Sequence, residues 1–177
     1  MDVVNFGTYQ GKQIKWIVTE IYQTDDGGQC AKLLCQQIMA DMRYHNSYEK
    51  TNWERCSIRS FLQARVQRWF SYYEQCLIQP QKTVIYDSYY PDPYYIEDQL
   101  SLLSFDEYSS LDKRVLSLLE TNEGNQGRNE IIKGWWLKPD DGKKSSKSRY
   151  VKPDNTMMDM EVDMYSGLRP TVVIRME

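Results

Sequence analysis

Side chains in residues 14–22 alternate, with Ile14, Trp16 and Val18 set between Lys15, Ile17 and Thr19. A period of two places neighbours on opposite faces of a strand. A shorter strand over residues 3–9 precedes it across a Gln10-Gly11 turn. Asp25-Asp26-Gly27-Gly28 then separates two β-branched and aromatic runs, which is a strong short-range hairpin signal, so residues 30–38 form a third strand. The chain thus opens as an antiparallel meander.

Residues 39–50 lose this pattern and read as a polar loop dotted with aromatics. Helix signals follow. Thr51-x-x-Glu54 has capping-box spacing, Ser57 is an alternative N-cap, and Ile58, Phe61, Leu62, Val66 and Trp69 recur every three or four residues on one face. A second short helix is predicted over residues 71–78, ahead of Pro80. Residues 86–95 carry Pro91 and Pro93, which remove backbone donors and predict an irregular loop. A short strand over 100–103 leads to Ser104-x-x-Glu107, a second capping box starting a helix that runs to about Leu119.

Residues 121–128 form a polar connector, and 131–137 return to strand character around Trp135-Trp136. Residues 140–149 are charged and serine-rich, as in a solvated loop. Met158, Met160, Val162 and Met164 alternate with Asp159, Glu161 and Asp163, predicting a half-buried strand. After a Ser166-Gly167 turn, residues 170–176 form the last strand. No internal repeat or interdomain linker is visible, so residues 1–177 read as one α+β domain.

Composition narrows the function classes. The balance of 22 basic against 25 acidic residues gives a net charge of −3, which provides no global attraction to nucleic acid or anionic membrane. No segment approaches the roughly 20 apolar residues of a membrane span. The opening residues 1–5 carry neither a positive cluster nor an apolar stretch, so a cytoplasmic protein without signal peptide is expected. Cys30, Cys35, Cys56 and Cys76 read as buried free thiols; the first two, five apart in one strand, point to opposite faces.

Several phrases have a family likeness: Phe6-Gly7-x-Tyr9, Trp53-Glu54-x-Cys56-Ser57-Ile58-Arg59-x-Phe61-Leu62, Leu102-Leu103-Ser104, Trp135-Trp136-Leu137 and Gly167-Leu168-Arg169-Pro170. In this order they resemble a bacterial and phage family of domains of unknown function. Its phrases are W-E-x-C-S-I-R-x-W-L-N, F-L-L-S, W-W-L-R-S-P-G and G-V-R-P-A. That family is similar to C-type-lectin-like domains of the formylglycine-generating branch. The resemblance implies such a fold, with the C-terminal strand beside the N-terminal one, and leaves function open. It also implies scaffold roles for Trp53, Arg59, Trp135 and Arg169. Lys138-Pro139-Asp140 departs from the family's Arg-Ser-Pro, and the absence of any cysteine after Cys76 excludes the paired-cysteine chemistry of formylglycine-generating enzymes.

The most suggestive surface is the tyrosine loop. Tyrosine, at 14 copies, is unusually abundant, and its rigid amphipathic ring suits recognition. Tyr86, Tyr89, Tyr90, Asp92, Tyr94 and Tyr95 are therefore expected to bind a protein partner or, alternatively, to stack a sugar. Of the adjacent indoles, Trp135 is expected in the core and Trp136 facing a groove. The acidic residues Asp159, Glu161 and Asp163 are too widely spread on a strand to hold calcium, so no metal is expected. Residues 128–152 hold eight Lys or Arg against three acids, making this stretch the candidate for nucleic acid, the least favoured partner. His45, the only histidine, is where any nucleophilic chemistry must run. Phosphate-loop, dinucleotide and zinc-protease motifs are missing, so no cofactor is expected. The reading is a non-catalytic binding module, with an enzyme centred on His45 as the alternative.

Overall fold

The computed structural model describes residues 2–119, 134–139 and 141–176. Strand outweighs helix, at 44% against 19%, so β-structure predominates in an α+β chain. The opening meander forms as expected: β1 (Val3–Tyr9), β2 (Lys12–Gln23) and β3 (Gln29–Cys35) pair in antiparallel order. A bulge separates Asn5 from Thr8 in β1, at Gly7, whose φ of 77° is strained for any side chain. A Cβ there would also stand 2.6 Å from the Phe70 ring.

β13 (Thr171–Met176) joins the outer edge of β3, from Thr171 opposite Leu34 to Met176 opposite Gln29. The terminal strands therefore share a sheet without touching, contrary to the side-by-side expectation. The two tight hairpins occupy both edges of β2, and the returning chain takes the outer edge of β3, leaving β1 at the margin of the sheet. On its far side β13 pairs with two short strands laid end to end, β5 (Ile78–Gln79) and β8 (Leu100–Ser101).

A second sheet runs β11-β10-β9-β12-β4. Its members are β4 (Ala40–Arg43), β9 (Trp135–Trp136), β10 (Lys147–Val151), β11 (Met157–Glu161) and β12 (Tyr165–Leu168). Three expectations are corrected here. Residues 40–43, taken as loop, pair with β12. Ser166-Gly167 is strand, the turn falling earlier, where the Met164 amide donates to the Glu161 carbonyl at 3.1 Å. Residues 147–149, taken as solvated loop, pair with β11. Of the strand predicted over 131–137, residues 131–133 lie outside the described residues, as does the connector at 121–128.

The helices are shorter than the apolar periodicity suggested. The first is split into α1 (Ser57–Gln63) and α2 (Val66–Trp69), followed by α3 (Tyr72–Leu77). The Thr51 capping box does not form; a 3-10 turn over Trp53–Arg55 is capped instead by Asn52, whose side chain accepts from the Arg55 amide. Ser57 is the first helical residue, and the Cys56 thiol caps α1 by accepting from the Arg59 amide. Ser71 and Glu74 close a complete capping box on α3. Ser104 and Glu107 close another on α4 (Phe105–Ser109), after which Asp112 caps a separate α5 (Lys113–Leu118). Among the described residues no helix is long and apolar enough to cross a membrane.

Two cores result. Trp16, Leu33, Trp53, Ile58, Leu62, Trp136 and Leu168 belong to the larger one, and Ile17, Leu34, Tyr108, Trp135 and Val151 to the smaller. Adjacent residues of one strand thus feed different cores, as expected of sheets covered on both faces.

One buried carboxylate joins the 3-10 turn and α1 to the end of β7 (Tyr94–Asp98). Asp98 is fully buried; its Oδ2 accepts from the Trp53 indole at 2.8 Å and its Oδ1 from Arg59 Nε at 2.7 Å. Removing one partner of a buried charge pair leaves the other uncompensated. Asp98→Ala is expected to lower unfolding free energy by about 3–5 kcal/mol, read as a shifted midpoint in urea unfolding. Asp98→Asn, which keeps one acceptor oxygen, should cost less.

Candidate functional site: the tyrosine ribbon

β6 (Gln81–Ile85) and β7 form an isolated two-stranded ribbon, with Ile85 opposite Tyr94 and Gln81 opposite Asp98. Alternation decides which side chains face out. Thr83, Ile85 and Asp98 are buried, while Lys82, Tyr95 and Glu97 are exposed. Residues 86–93 cross the tip. The expected loop at 86–95 is therefore shorter than predicted, because strand pairing resumes directly after Pro93.

The tip is braced from beneath. Asp87 turns inward, its Oδ1 accepting from the Tyr89 amide at 3.2 Å, and its carbonyl takes the Tyr90 amide at 3.0 Å. Lys144 and Arg55 reach its Oδ2 at 3.3 and 3.7 Å. The Tyr89 amide, helped by both cations, holds the Asp87 carboxyl below the usual range, although burial acts in the opposite sense. Gly142 packs so tightly under β6 that a Cβ would lie 2.3 Å from the Val84 carbonyl.

On this base Tyr86, Tyr89, Tyr90 and Tyr95 project into solvent, Tyr89 at 84% exposure, with Asp92 exposed beside them. Lys144 Nζ stands 5.9 Å from the Tyr89 ring centre. Tyr94 faces the other way: half-buried, it packs edge-on to Tyr90 at 5.5 Å and donates to Glu54 Oε2 at 2.7 Å. The Glu54 carboxylate, aided by burial, pushes that phenol up to about 12. Exposed tyrosines elsewhere, Tyr22, Tyr48, Tyr72, Tyr73 and Tyr165, lie on other segments.

Trp136 does not join this surface. Both indoles are buried, on opposite faces of β9: Trp136, 0% exposed, donates to the Met42 carbonyl and packs edge-on to Tyr44, while Trp135 packs edge-on to Tyr108. The expectation of a groove-facing Trp136 fails because β9, in the middle of the second sheet, is covered on both faces. Arg169 is buried, its Nη1 donating to the carbonyls of Cys35 and Gln36 and its guanidinium lying 5.3 Å from the Trp135 ring centre.

Four cations of the basic stretch are matched by acids, while Arg128 and Lys133 lie outside the described residues. Lys147 pairs with Glu161 and Arg149 with Asp159 across β10 and β11, Lys152 with Asp154, and Lys144 with Asp87. The acidic ladder thus lies opposite the basic run. Among the described residues no group of three His, Cys, Asp or Glu side chains is placed to hold a metal. Burial pushes the Cys56 thiol up to about 12, leaving it unreactive, whereas Cys76 is exposed, correcting its expected burial.

Sequence reasoning missed one constellation. His45 Nε2 lies 2.9 Å from Glu49 Oε1 and its Nδ1 3.3 Å from Ser57 Oγ, which also accepts from the Asn46 amide at 3.0 Å. The spacing of His45 and Glu49 was available in the sequence; the approach of Ser57 was not.

Fold and site together define a mostly β α+β domain that presents aromatic side chains from a braced ribbon. The chain belongs to the family described as Domain of unknown function (DUF6273), whose model matches residues 29–176. No curated protein and no solved structure matches it.

Because the folded Asp87 carboxyl is depressed, its bracing is complete above the ordinary aspartate value of about 3.9 and is lost as pH falls through the lower folded value. In an NMR titration the Tyr89 amide resonance should move with a midpoint below about 3.9. Asp87→Asn should speed hydrogen exchange of that amide at neutral pH.

Proposed function

We propose that this chain is a recognition module that binds a protein partner through the tyrosine ribbon. The observation that carries the reading is the pairing of four exposed phenol rings with a tip fastened by Asp87, Lys144 and Arg55. Preorganised aromatic side chains lose little entropy on binding, which is why such residues dominate interface energetics. The module acts in the cytoplasm of a bacterium or in a phage product, a setting in which protein is favoured over sugar. Its C-type-lectin-like kinship rests on the order of the shared sequence phrases.

A photo-crosslinking residue in place of Tyr89 is expected to capture one dominant partner in bacterial extract. Tyr90→Ala and Tyr95→Ala should each weaken binding to the purified partner by more than about tenfold. As exposed substitutions, they should change stability by no more than about 0.5 kcal/mol. Diffuse crosslinking, with affinities unaltered by the alanines, overturns the reading; signal on a glycan array instead assigns the rings to sugar.

A second reading, an enzyme at His45, is favoured by the Ser57–His45–Glu49 chain of contacts. Nucleophile, base and orienting carboxylate stand within or near hydrogen-bond reach, with the two imidazole nitrogens exchanged relative to the usual serine-hydrolase arrangement. There Ser57 Oγ attacks an ester carbonyl while its proton passes to His45 Nδ1. The departing alcohol takes that proton, and water then releases the acyl group. On this reading a fluorophosphonate probe labels Ser57 and the label disappears in His45→Ala; an unlabelled protein discards it.

A further inference from the structure

β6 and β7 make a ribbon of only two strands, so each strand has an edge whose peptide groups look for partners outside the ribbon. In an antiparallel pair, hydrogen-bonded and non-hydrogen-bonded positions alternate, and the direction of one peptide group fixes the rest. The Tyr86 amide donates to the Gly142 carbonyl at 3.3 Å, and the Val84 carbonyl also faces Gly142. Positions 84 and 86 therefore point out of the ribbon. The hydrogen-bonded pairs are then Ile85 with Tyr94, Thr83 with Ile96 and Gln81 with Asp98. Pro93, which follows Tyr94 backwards in this register to stand opposite Tyr86, has no N–H to offer there.

The two edges differ. Gly142 lies against the outer edge of β6. On β7 the same alternation turns the N–H and C=O groups of Tyr95 and Glu97 away from β6, and among the described residues nothing bonds to them. The side chains of both residues are exposed, Tyr95 at 69%. Main-chain donors and acceptors repeating every second residue match another extended backbone, which makes this edge more selective than an aromatic patch alone.

Charge selects among strands. The exposed Asp92 forms no ion pair among the described residues, and Glu97 has only the exposed Lys82, 3.9 Å away, a pairing that solvent screens. The faces of the phenol rings are also negative and attract cations. A second copy of the chain would lay β7 on itself and bring the acids of the two copies near each other, which is unfavourable. We propose that the partner supplies an extended segment that adds to the outer edge of β7 as a third strand, bonding to the peptide groups of Tyr95 and Glu97 and placing a Lys or Arg side chain between Asp92 and the phenol rings. This rests on the reading of the ribbon as a protein-binding surface and states how the partner engages it.

The probe is a random peptide library displayed on phage and selected against the intact protein, with the best binder then synthesised. That peptide is expected to carry Lys or Arg. N-methylation of alternate amides in it should weaken binding about tenfold or more, and methylation of the intervening amides should change little. Hydrogen exchange at the Tyr95 and Glu97 amides should slow in the complex. On the protein, Glu97→Pro removes one outward amide from an edge strand, where proline is tolerated, and should weaken binding about tenfold. Glu97→Gln, which removes only the charge, should cost about threefold. If Glu97→Pro does not melt as the parent does, the peptide methylations and the exchange data decide alone. Binding that falls in Tyr89→Ala and Tyr90→Ala, yet ignores N-methylation and leaves both amides exchanging freely, overturns strand addition while the rings keep their role. Binding that depends on the β7 amides and ignores the ring variants keeps the strand and removes the rings. Absence of any saturable binder overturns the proposal, as does protection of the same amides in the protein alone at rising concentration, which assigns the edge to a second copy.

Discussion

A carboxylate with no access to water holds this molecule in register. Asp98 receives the indole N–H of Trp53 and the guanidinium of Arg59, and so fixes the end of the ribbon against the 3-10 turn and α1. An unpaired buried carboxylate would cost several kcal/mol or take up a proton, so the three residues are committed to one another. Trp53 and Arg59 lie in the Trp-Glu-x-Cys-Ser-Ile-Arg phrase, and the intervening Cys56 supplies the cap that starts α1 between them. The phrase is therefore a single mechanical unit: turn, cap, helix and the two donors that reach Asp98. Everything the ribbon displays at its other end, the exposed tyrosines included, is positioned from this anchor.

The central strands of both large sheets are covered on both faces, and this explains several adjacent apolar pairs. Trp16 and Ile17, Leu33 and Leu34, and Trp136 and Trp135 each send one side chain to the larger core and one to the smaller. A sheet with one wet face would have left every second position polar. The same arrangement removes Trp136 from the list of contact residues, since the face it occupies is filled by Tyr44 and Tyr150. It also gives Arg169 its setting, a cation held under Trp135 by the carbonyls at the end of β3.

Features set by neighbours in sequence were legible. The meander follows from alternation and the Asp-Gly turn, and the Ser104 capping box from two residues three apart. Features set by distant partners were not. Ala40–Arg43 has no strand signature of its own and becomes a strand by pairing with Tyr165–Leu168. Gln81–Ile85 was passed over for the same reason. Nothing marks Asp98 among the acidic residues until Arg59 and Trp53 are seen to converge on it. The tyrosine tip was legible in composition, because prolines and phenols so close together exclude a regular core element. The inward turn of Tyr94 was not, because it depends on strand pairing after Pro93 and on Glu54 to receive the hydroxyl.

The distribution of charge separates the surfaces that were candidates for ligands. Lys147 and Arg149 face Glu161 and Asp159 strand to strand, and Lys144 and Arg55 converge on Asp87. Cations engaged in this way offer little to a phosphate backbone, so a count of lysines along the chain overstates the field they produce. In the groove of about 310 Å³ beside β13 two of the three lining lysines are paired as well, Lys32 with Glu107 and Lys82 with Glu97. β6 runs between the two regions: Gln81 and Lys82 line the groove, Thr83 accepts from Lys138, and the strand ends at Ile85, directly before Tyr86. That strand is anchored through its partner at Asp98 and braced at Asp87, and it fixes the tip against the rest of the fold.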